Sequence, residues 1–541
     1  MTRHVSTTTA HSVGLVSSIK HAKIQSNLNL AHESLTPSAE LSEKPSWQTA
    51  HSNYTLASSF INEEVSNKYS NMTATIKGIE SINCEHVIPS DVAPLAAVSR
   101  WSDSKIDSPA LVVKPATEED VQASIRVANE NGWKVVVSGG GHGTFVRVDA
   151  DCLYLDMENL RAVKLNKEAG LVEVGGGVKT GDLLRNLADE GYYTPLPNSN
   201  AVGVVGCIIG GGNNPFNGLH GWMADNAQSF RLVTAMGKIV EVSAASTRED
   251  LALFNALCGG GHGLGVIMSA KIKAYRISDL GMTDNNIWMR SVIFPSAHID
   301  VAARAFLDLQ RPPPMTSFGL TFIRSPPGTP AAGSPIIILG GTHFGPADQA
   351  ESISSVLFRE DIVGKASTSK TDMVPMVALN DRYESQNVHG GHKAIASCRL
   401  KKTDAETIKS TFEQWVSITQ KHPDSQRSIL VIAKFNSTKA VELQRTQSAG
   451  RFLENRDRDF AAMAVTVCSE EDTRVALAEY KDSVMAAMRK GDAGAAAASF
   501  PNNLRFGMDL GEMFKPEGLE ELRRIKTTWD ANGLFWSPYE H

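Results

Sequence analysis

The segment VVVSGGGHGTF, residues 135–145, decides how the chain is read. Lys134 to Val137 is a short β-branched run that reads as a strand. Five residues follow at its end, GGGHG, Gly139 to Gly143. Glycine lets a backbone approach a ligand closely, and successive amides can then point at a phosphate. The same pentapeptide returns at Gly259 to Gly263, in CGGGHGLGV. There it follows a helical pattern, LALFNALC, and precedes a strand, so Gly259 stands where a left-handed C-cap belongs. Identical letters thus occupy a strand end and a helix end. A third glycine-dense stretch, VGVVGCIIGGG, spans 202–212.

Working outward, Ala110 to Val113 reads as a strand and Thr117 as the cap of a helix. Glu118, Glu119 and Asp120 fill that helix's first turn, and Val121, Ile125 and Ala128 recur at helical spacing. With the strand at 134–137 this makes a β-α-β unit. CLYLDM and GLVEVGGG read as strands, and TGDLLRNLADEG as a helix capped by Thr180 and stopped at Gly191. FRLVTAMGKIVEV reads as a hairpin and TREDLALFNALC as a helix; LGVIMSAKIKAY is a strand. After about residue 280, strands such as WMRSVIF, FGLTFI, PIIILGGTHF, SILVIAKF and FAAMAVTV alternate with long amphipathic helices. That alternation predicts a sheet with helices on one face. A last helix runs from Pro516 to a stop near Asn532 and Gly533.

Composition narrows the classes. The 541 residues are 42% hydrophobic and 21% charged, with a formal net charge of -6. Lys and Arg form no basic stripe, so no nucleic-acid partner is expected, and no apolar run predicts a membrane span. The six cysteines, Cys84, Cys152, Cys207, Cys258, Cys398 and Cys468, form no CxxC pair. A reducing, cytoplasmic location is the expectation. Residues 1–75 read as a disordered tail without a signal peptide. GxxxxGK[ST], GxGxxG between strand and helix, and HExxH are all absent. HGGH at 389–392 lacks a third ligand, so no metal is expected.

Four stretches stand in one order. PALVVKPATEEDVQASIRVANENGWKVVVSGGGHG comes first, then VGVVGCIIGGG with GLHGWMADN at 218–226, then EDLALFNALCGGGHGLGVI, then FPNN at 500–503 with LRRIKTTWDANGLF behind it. In that order the chain resembles the flavoproteins of the vanillyl-alcohol oxidase and p-cresol methylhydroxylase (PCMH) type. It is most similar to their berberine-bridge-enzyme-like branch, over about residues 85–541. The resemblance implies an α+β fold with a two-subdomain PCMH-type FAD-binding domain at 85–278. A substrate domain at 279–495, an antiparallel sheet covered by helices, would follow, and residues 496–541 would return to the FAD domain. It implies an FAD-linked oxidase or dehydrogenase of secondary metabolism. Its partner would be a small-molecule substrate, an alcohol, amine or natural-product intermediate, oxidised by hydride transfer to flavin N5. Two other readings stay open, a flavin-bearing cyclase without net oxidation and a metal-dependent hydrolase.

The resemblance also carries cofactor contacts onto Ser138, Gly139, Gly140, Gly141, His142 and Gly143. It carries others onto Ser199, Val202, Gly203, Gly206, Gly210, Gly211, Asp225, Asn226, Val266 and Asn502. His142 occupies the position that relatives can join covalently to the flavin 8α-methyl, and His262 reads as a turn residue close to FAD. Ser138 stands where many relatives carry Arg. Ser199 stands where some carry the cysteine of a second flavin bond, so no cysteinyl link is expected, and Cys207 reads as a packed core thiol. Phe500-Pro501-Asn502 replaces Tyr-x-Asn, with Asn502 still able to reach the isoalloxazine. For the base, SILVIAKF holds no carboxylate and only one ionisable residue, Lys434. Lysines on alternating strands ordinarily face solvent. Tyr383, His389 and His392, in DRYESQNVHGGHK, are the other candidates.

Overall fold

A computed structural model describes residues 76–89 and 97–539, all within one compact unit, Met72–His541. The tail expected at 1–75 lies outside the described residues. A first sheet holds β1 (Glu85–Val87), β2 (Leu111–Lys114), β3 (Lys134–Ser138) and β4 (Cys152–Asp156) in the order β1-β2-β4-β3. Helix α1 (Glu118–Asn131) joins β2 to β3 and begins with a capping box between Thr117 and Asp120. The simple β-α-β reading needs one correction. β4 enters between β2 and β3 and runs parallel to both, so the strands linked by α1 are not neighbours.

The second sheet is antiparallel. It holds β5 (Val163–Asn166), β6 (Leu171–Gly175), β8 (Ala227–Val233), β9 (Ile239–Ser243) and β10 (Val266–Lys273), ordered β5-β6-β10-β8-β9. A ribbon of β7 (Tyr192–Tyr193) and β11 (Tyr275–Arg276) lies beside it in sequence. Its core also takes residues from α2 (Thr180–Asp189), α3 (Val204–Ile209) and α4 (Arg248–Leu257), with Val174, Leu183, Ile208, Phe230 and Phe254 buried together. Thr180 is not the cap of α2. Lys179 holds that place, and the Thr180 hydroxyl donates instead to the Val202 carbonyl at 2.8 Å.

Seven antiparallel strands form the third sheet: β12 (Asn286–Pro295), β13 (Thr316–Arg324), β14 (Pro335–His343), β15 (Thr368–Pro375), β16 (His392–Leu400), β17 (Ile429–Lys434) and β18 (Phe460–Cys468). Their order is β15-β12-β14-β13-β17-β18-β16. Both edge strands escaped the sequence reading. β15, TSKTDMVP, is mostly exposed and lacks an apolar face, and β16 begins at a histidine read as part of a loop. α5 (Ile299–Asp308), α6 (Ala405–Lys421) and α7 (Glu471–Gly491) cover one face, where Phe306, Trp415 and Val484 pack on Leu320, Ile432 and Ala462.

The other face meets the first two sheets. From β16, the Arg399 guanidinium lies 4.6 Å from the ring centroids of both Trp222 and Phe500. The chain then returns through α8 (Pro516–Trp529), and the Val135 N–H of β3 donates to the Leu534 carbonyl at 2.8 Å. A buried ion pair fastens the contact. Both Asp225 oxygens accept from Arg456 Nη1 at 2.8 Å, with both side chains fully buried. Arg456 also donates to the Ala440, Leu453 and Gly450 carbonyls, and Asp225 accepts the Trp222 N–H. A buried pair satisfied this fully is costly to break from one side. Arg456→Met should therefore destabilise the protein by about 3–5 kcal/mol, read as a lowered urea midpoint. Adding Asp225→Asn should recover part of that loss, because the stranded charge is gone.

Candidate functional site

β3 ends at Ser138, and its loop runs directly against the start of α3. A Cβ at Gly140 would stand 2.4 Å from the Gly203 nitrogen and 2.8 Å from the Ala201 carbonyl oxygen. A Cβ at Gly203 would stand 2.8 Å from the Gly140 nitrogen. The two glycine stretches touch backbone on backbone, which only residues without a side chain allow. Among the described residues, no protein acceptor pairs with the N–H groups of Gly140, Gly141, His142 and Gly143. Four consecutive free amides in a loop form a concavity suited to an anion such as a diphosphate.

The second pentapeptide lies beside the first. The Gly261 N–H donates to the Ile209 carbonyl, the last residue of α3, at 3.0 Å. His262 stands edge-on to Phe145, with ring centroids 5.4 Å apart and planes at 80°. Trp536 lies 5.6 Å from the same Phe145 ring. Between these elements is a cleft lined by Val135, Val137, Gly139, Gly206, Gly261, His262 and Trp536. A Cβ at Gly206 would meet nothing within 4 Å. The His142 Nε2 and His262 Nδ1 atoms are buried without a protein partner. Glycine walls, unpaired amides and orphaned imidazole nitrogens fit a ligand with apolar rings and a diphosphate.

Both imidazoles are held neutral. Burial, then the charges of His389, Lys179 and Lys393, bring His142 down to about 3. Burial alone brings His262 down to about 4. The His142 ring lies flat against Trp101, centroids 5.1 Å apart and planes 14° apart.

Several predicted contacts have other roles. Asn226 Oδ1 accepts the Tyr275 hydroxyl at 2.7 Å, and its Nδ2 donates to the His220 and Trp222 carbonyls. The Asp225 carboxylate is taken up by Arg456, so both side chains brace the fold. Asn502 is likewise engaged. Its Oδ1 accepts the Gly212 N–H at 2.9 Å and its Nδ2 donates to the Cys207 carbonyl at 2.9 Å, pinning the end of α3 where Gly210 leaves room. Val266 is buried and pairs with Val233 in the second sheet. Ser138 is buried, the Val202 carbonyl accepts from Thr180, and Gly211 receives the Ala224 N–H. Cys207 is a buried core thiol raised by burial to about 12.

Among the candidate bases, Lys434 faces the wrong way. It follows Leu430 and Ile432 onto the helix-covered side of β17, and its Nζ donates to the Phe306 and Leu309 carbonyls at 2.9 and 2.6 Å. It is neither solvent-facing nor near the cleft; it satisfies the C-terminus of α5. His392 opens β16, with Nδ1 3.3 Å from the Ser104 hydroxyl. Tyr383 and His389 belong to a segment that meets Ser199 and Trp101. Ser199 Oγ donates to Asn387 at 2.6 Å, and Trp101 Nε1 donates to the Gln386 carbonyl at 2.7 Å. Sequence reasoning missed Arg100, whose buried guanidinium donates to the Gly143 and Val146 carbonyls. The cation absent at Ser138 is thus supplied to the same loop from behind. The only hint was an Arg-Trp pair in a polar stretch ahead of the first long strand.

The family described as FAD binding domain matches residues 109–243, which hold β3, the first pentapeptide and α3. FAD-linked oxidoreductase tazL of Aspergillus terreus is 28% identical over 443 residues, covering 81% of this chain and 87% of its own. This chain carries an FAD-binding domain and is similar to fungal FAD-linked oxidoreductases. Among solved structures, BBE-like 1 of Physcomitrella patens superposes with a TM-score of 0.70 at 18% identity, over 86% of this chain and 99% of its own. A variant of berberine bridge enzyme solved in complex with (S)-reticuline gives 0.67 at 17% identity, over 87% and 97%. The fold is therefore that of the berberine-bridge-enzyme-like, PCMH-type flavoenzymes, and FAD is the ligand the cleft fits.

Two glycine substitutions separate the roles in this enzyme. Gly206→Ala should leave the urea midpoint unchanged or slightly raised, since alanine favours a helix, yet weaken FAD retention by filling the cleft. Gly140→Ala should lower both, because its Cβ meets backbone. Denaturation curves and the visible flavin absorbance of the purified variants distinguish the two outcomes.

Proposed function

We propose that the enzyme oxidises a small, largely uncharged organic molecule of secondary metabolism, with FAD tethered through His142. The observation that carries the substrate class is the inner face of the seven-stranded sheet. Opposite the helices, its central strands present Gly319, Thr321, Ile338, Gly340, Val431, Ala433 and Met463, in register across β14, β13, β17 and β18. These residues are partly exposed, and none is ionisable. A surface of this kind accommodates an apolar ring system and offers hydroxyls rather than ion pairs. Bound FAD supplies the hydride acceptor.

The chain's own residues do the rest. The amides of Gly140 to Gly143 hold the diphosphate, Arg100 stiffens that loop from behind, and the sheet excludes water from the reacting carbon. His389 is the candidate proton acceptor, on the segment whose Gln386 carbonyl accepts from Trp101. Burial, Lys179 and Lys393 lower its pKa, so it is neutral and able to accept at neutral pH. A structural neighbour, berberine bridge enzyme, has been solved in complex with a small molecule, (S)-reticuline, which supports a small organic substrate here.

Acid precipitation tests the tether. The wild-type pellet should retain flavin fluorescence, and His142→Ala should release the flavin to the supernatant, whereas His262→Ala should leave it in the pellet. Lys434→Met tests the excluded base. Turnover with any accepted substrate should persist while stability changes, and a loss of turnover at full FAD loading would return Lys434 to the mechanism. Substrate turnover without flavin reduction or peroxide would favour the cyclase reading.

A further inference from the structure

Residues 99–103 form a strap between the first pentapeptide and β16. The Trp101 N–H donates to the Gly141 carbonyl at 3.1 Å, and the Tyr154 hydroxyl donates to the Ser99 carbonyl at 3.0 Å. On the other side Ser102 Oγ donates to the Lys393 carbonyl at 2.8 Å, and Asp103 accepts the Gly391 N–H at 2.6 Å. The strap carries one aromatic ring, and that ring lies on His142.

We propose that Trp101 is the positioning residue for attachment of FAD at His142, fixing the imidazole by its indole face. The inference rests on the reading of His142 as the tether. Among the described residues no hydrogen bond holds the His142 ring, and its Nε2 is buried and unpartnered. Buried histidines are ordinarily oriented through a bond to one ring nitrogen. Here both nitrogens are left unbonded, and the orientation comes from the 14° stack alone. The indole is itself immobilised by the Gln386 carbonyl at 2.7 Å, and the Lys393 ammonium lies 5.4 Å from its centroid and 2.7 Å from its carbonyl oxygen. His262 supplies the contrast. It has the same sequence neighbours but meets Phe145 edge-on at 80°, with no flat surface beneath it.

The linkage balances with dioxygen as oxidant. One bond forms between an imidazole nitrogen and the 8α-carbon, while one imidazole N–H and one methyl C–H bond break. The two protons and two electrons released pass through the isoalloxazine to dioxygen, which leaves as hydrogen peroxide. The imidazole must be neutral and aimed when this occurs. Its burial and the nearby cations meet the first condition, and Trp101 meets the second. Loss of orientation in a unimolecular step of this kind costs about tenfold to a hundredfold in rate.

The test follows attachment rather than turnover. Purified wild-type, Trp101→Leu and Trp101→Phe proteins are incubated with excess FAD in air, and acid-quenched samples are read for flavin in the pellet. Visible absorbance after gel filtration gives total bound FAD. Trp101→Leu should bind FAD yet attach it at least about tenfold more slowly, whereas Trp101→Phe, which keeps a flat ring, should stay near the wild-type rate. Attachment in Trp101→Leu at the wild-type rate would overturn the positioning role alone, as would Trp101→Phe being equally slow. A wild-type pellet without flavin would overturn the tether reading and this inference with it. If Trp101→Leu gives no soluble protein, Trp101→Met replaces it, with the same outcomes.

Discussion

The cofactor cleft exists because two backbones meet at Gly140 and Gly203 with no side chain between them. That contact places the start of α3 against the loop after β3. The six residues of α3 are then held at the far end as well, by the Gly261 N–H on Ile209 and by the Asn502 amide on Cys207 and Gly212. One short helix is thus clamped between the two copies of GGGHG and Asn502, far downstream in the chain. Glycine loses more chain entropy on folding than any other residue. The surrounding cores, which bury Ile208, Phe230, Phe254 and Leu522 together, offset that cost.

The second constraint joins the cofactor half to the seven-stranded sheet. Two guanidinium groups lie over the Trp222 ring, Arg399 at 4.6 Å and Arg456 at 4.7 Å, and Arg456 is neutralised by Asp225 three residues along the chain from that tryptophan. Cations over an indole face, desolvated and hydrogen-bonded to carbonyls, keep their attraction and lose little to water. Arg399 also donates to the Asn455 and Arg458 carbonyls, while its Nε is buried without a protein partner. The rest of the inner sheet face is left free to be apolar, which is the property a ring-shaped substrate needs.

Much of this was legible in the sequence. Glycine spacing, the capping box at Thr117 and the helical periods of α6 and α7 gave the elements, and four ordered stretches gave the fold type. The failures share one cause, which is that a letter does not say which partner it takes. The resemblance carried cofactor contacts onto Asp225, Asn226 and Asn502, and each side chain spends its hydrogen bonds on protein groups. Lys434 looked like a surface lysine or a base, and alternation along β17 put it on the helix side, where the carbonyls of Phe306 and Leu309 needed a donor. The strap at 99–103 was invisible because the side chains of Trp101, Ser102 and Asp103 bond to the main chain of a distant segment, which carries no residue signature. β16 was lost behind two glycines that read as loop, although its register with β18 runs unbroken from His392 to Leu400.

The pairing of β3 with Leu534 and Phe535 bears on how the protein is made. Lys134 and Gly533, 399 positions apart, are in contact, and Trp536 forms part of the cleft wall. During synthesis the ribosome releases β3 and the phosphate loop long before the strand segment that completes their sheet. Contacts so distant in sequence form late, since the loop between them must close first. The nascent FAD half therefore waits with an open edge at β3, and stable retention of the flavin comes after the whole substrate sheet has been translated. Cofactor loading in this fold is a report that the chain has reached its last helix.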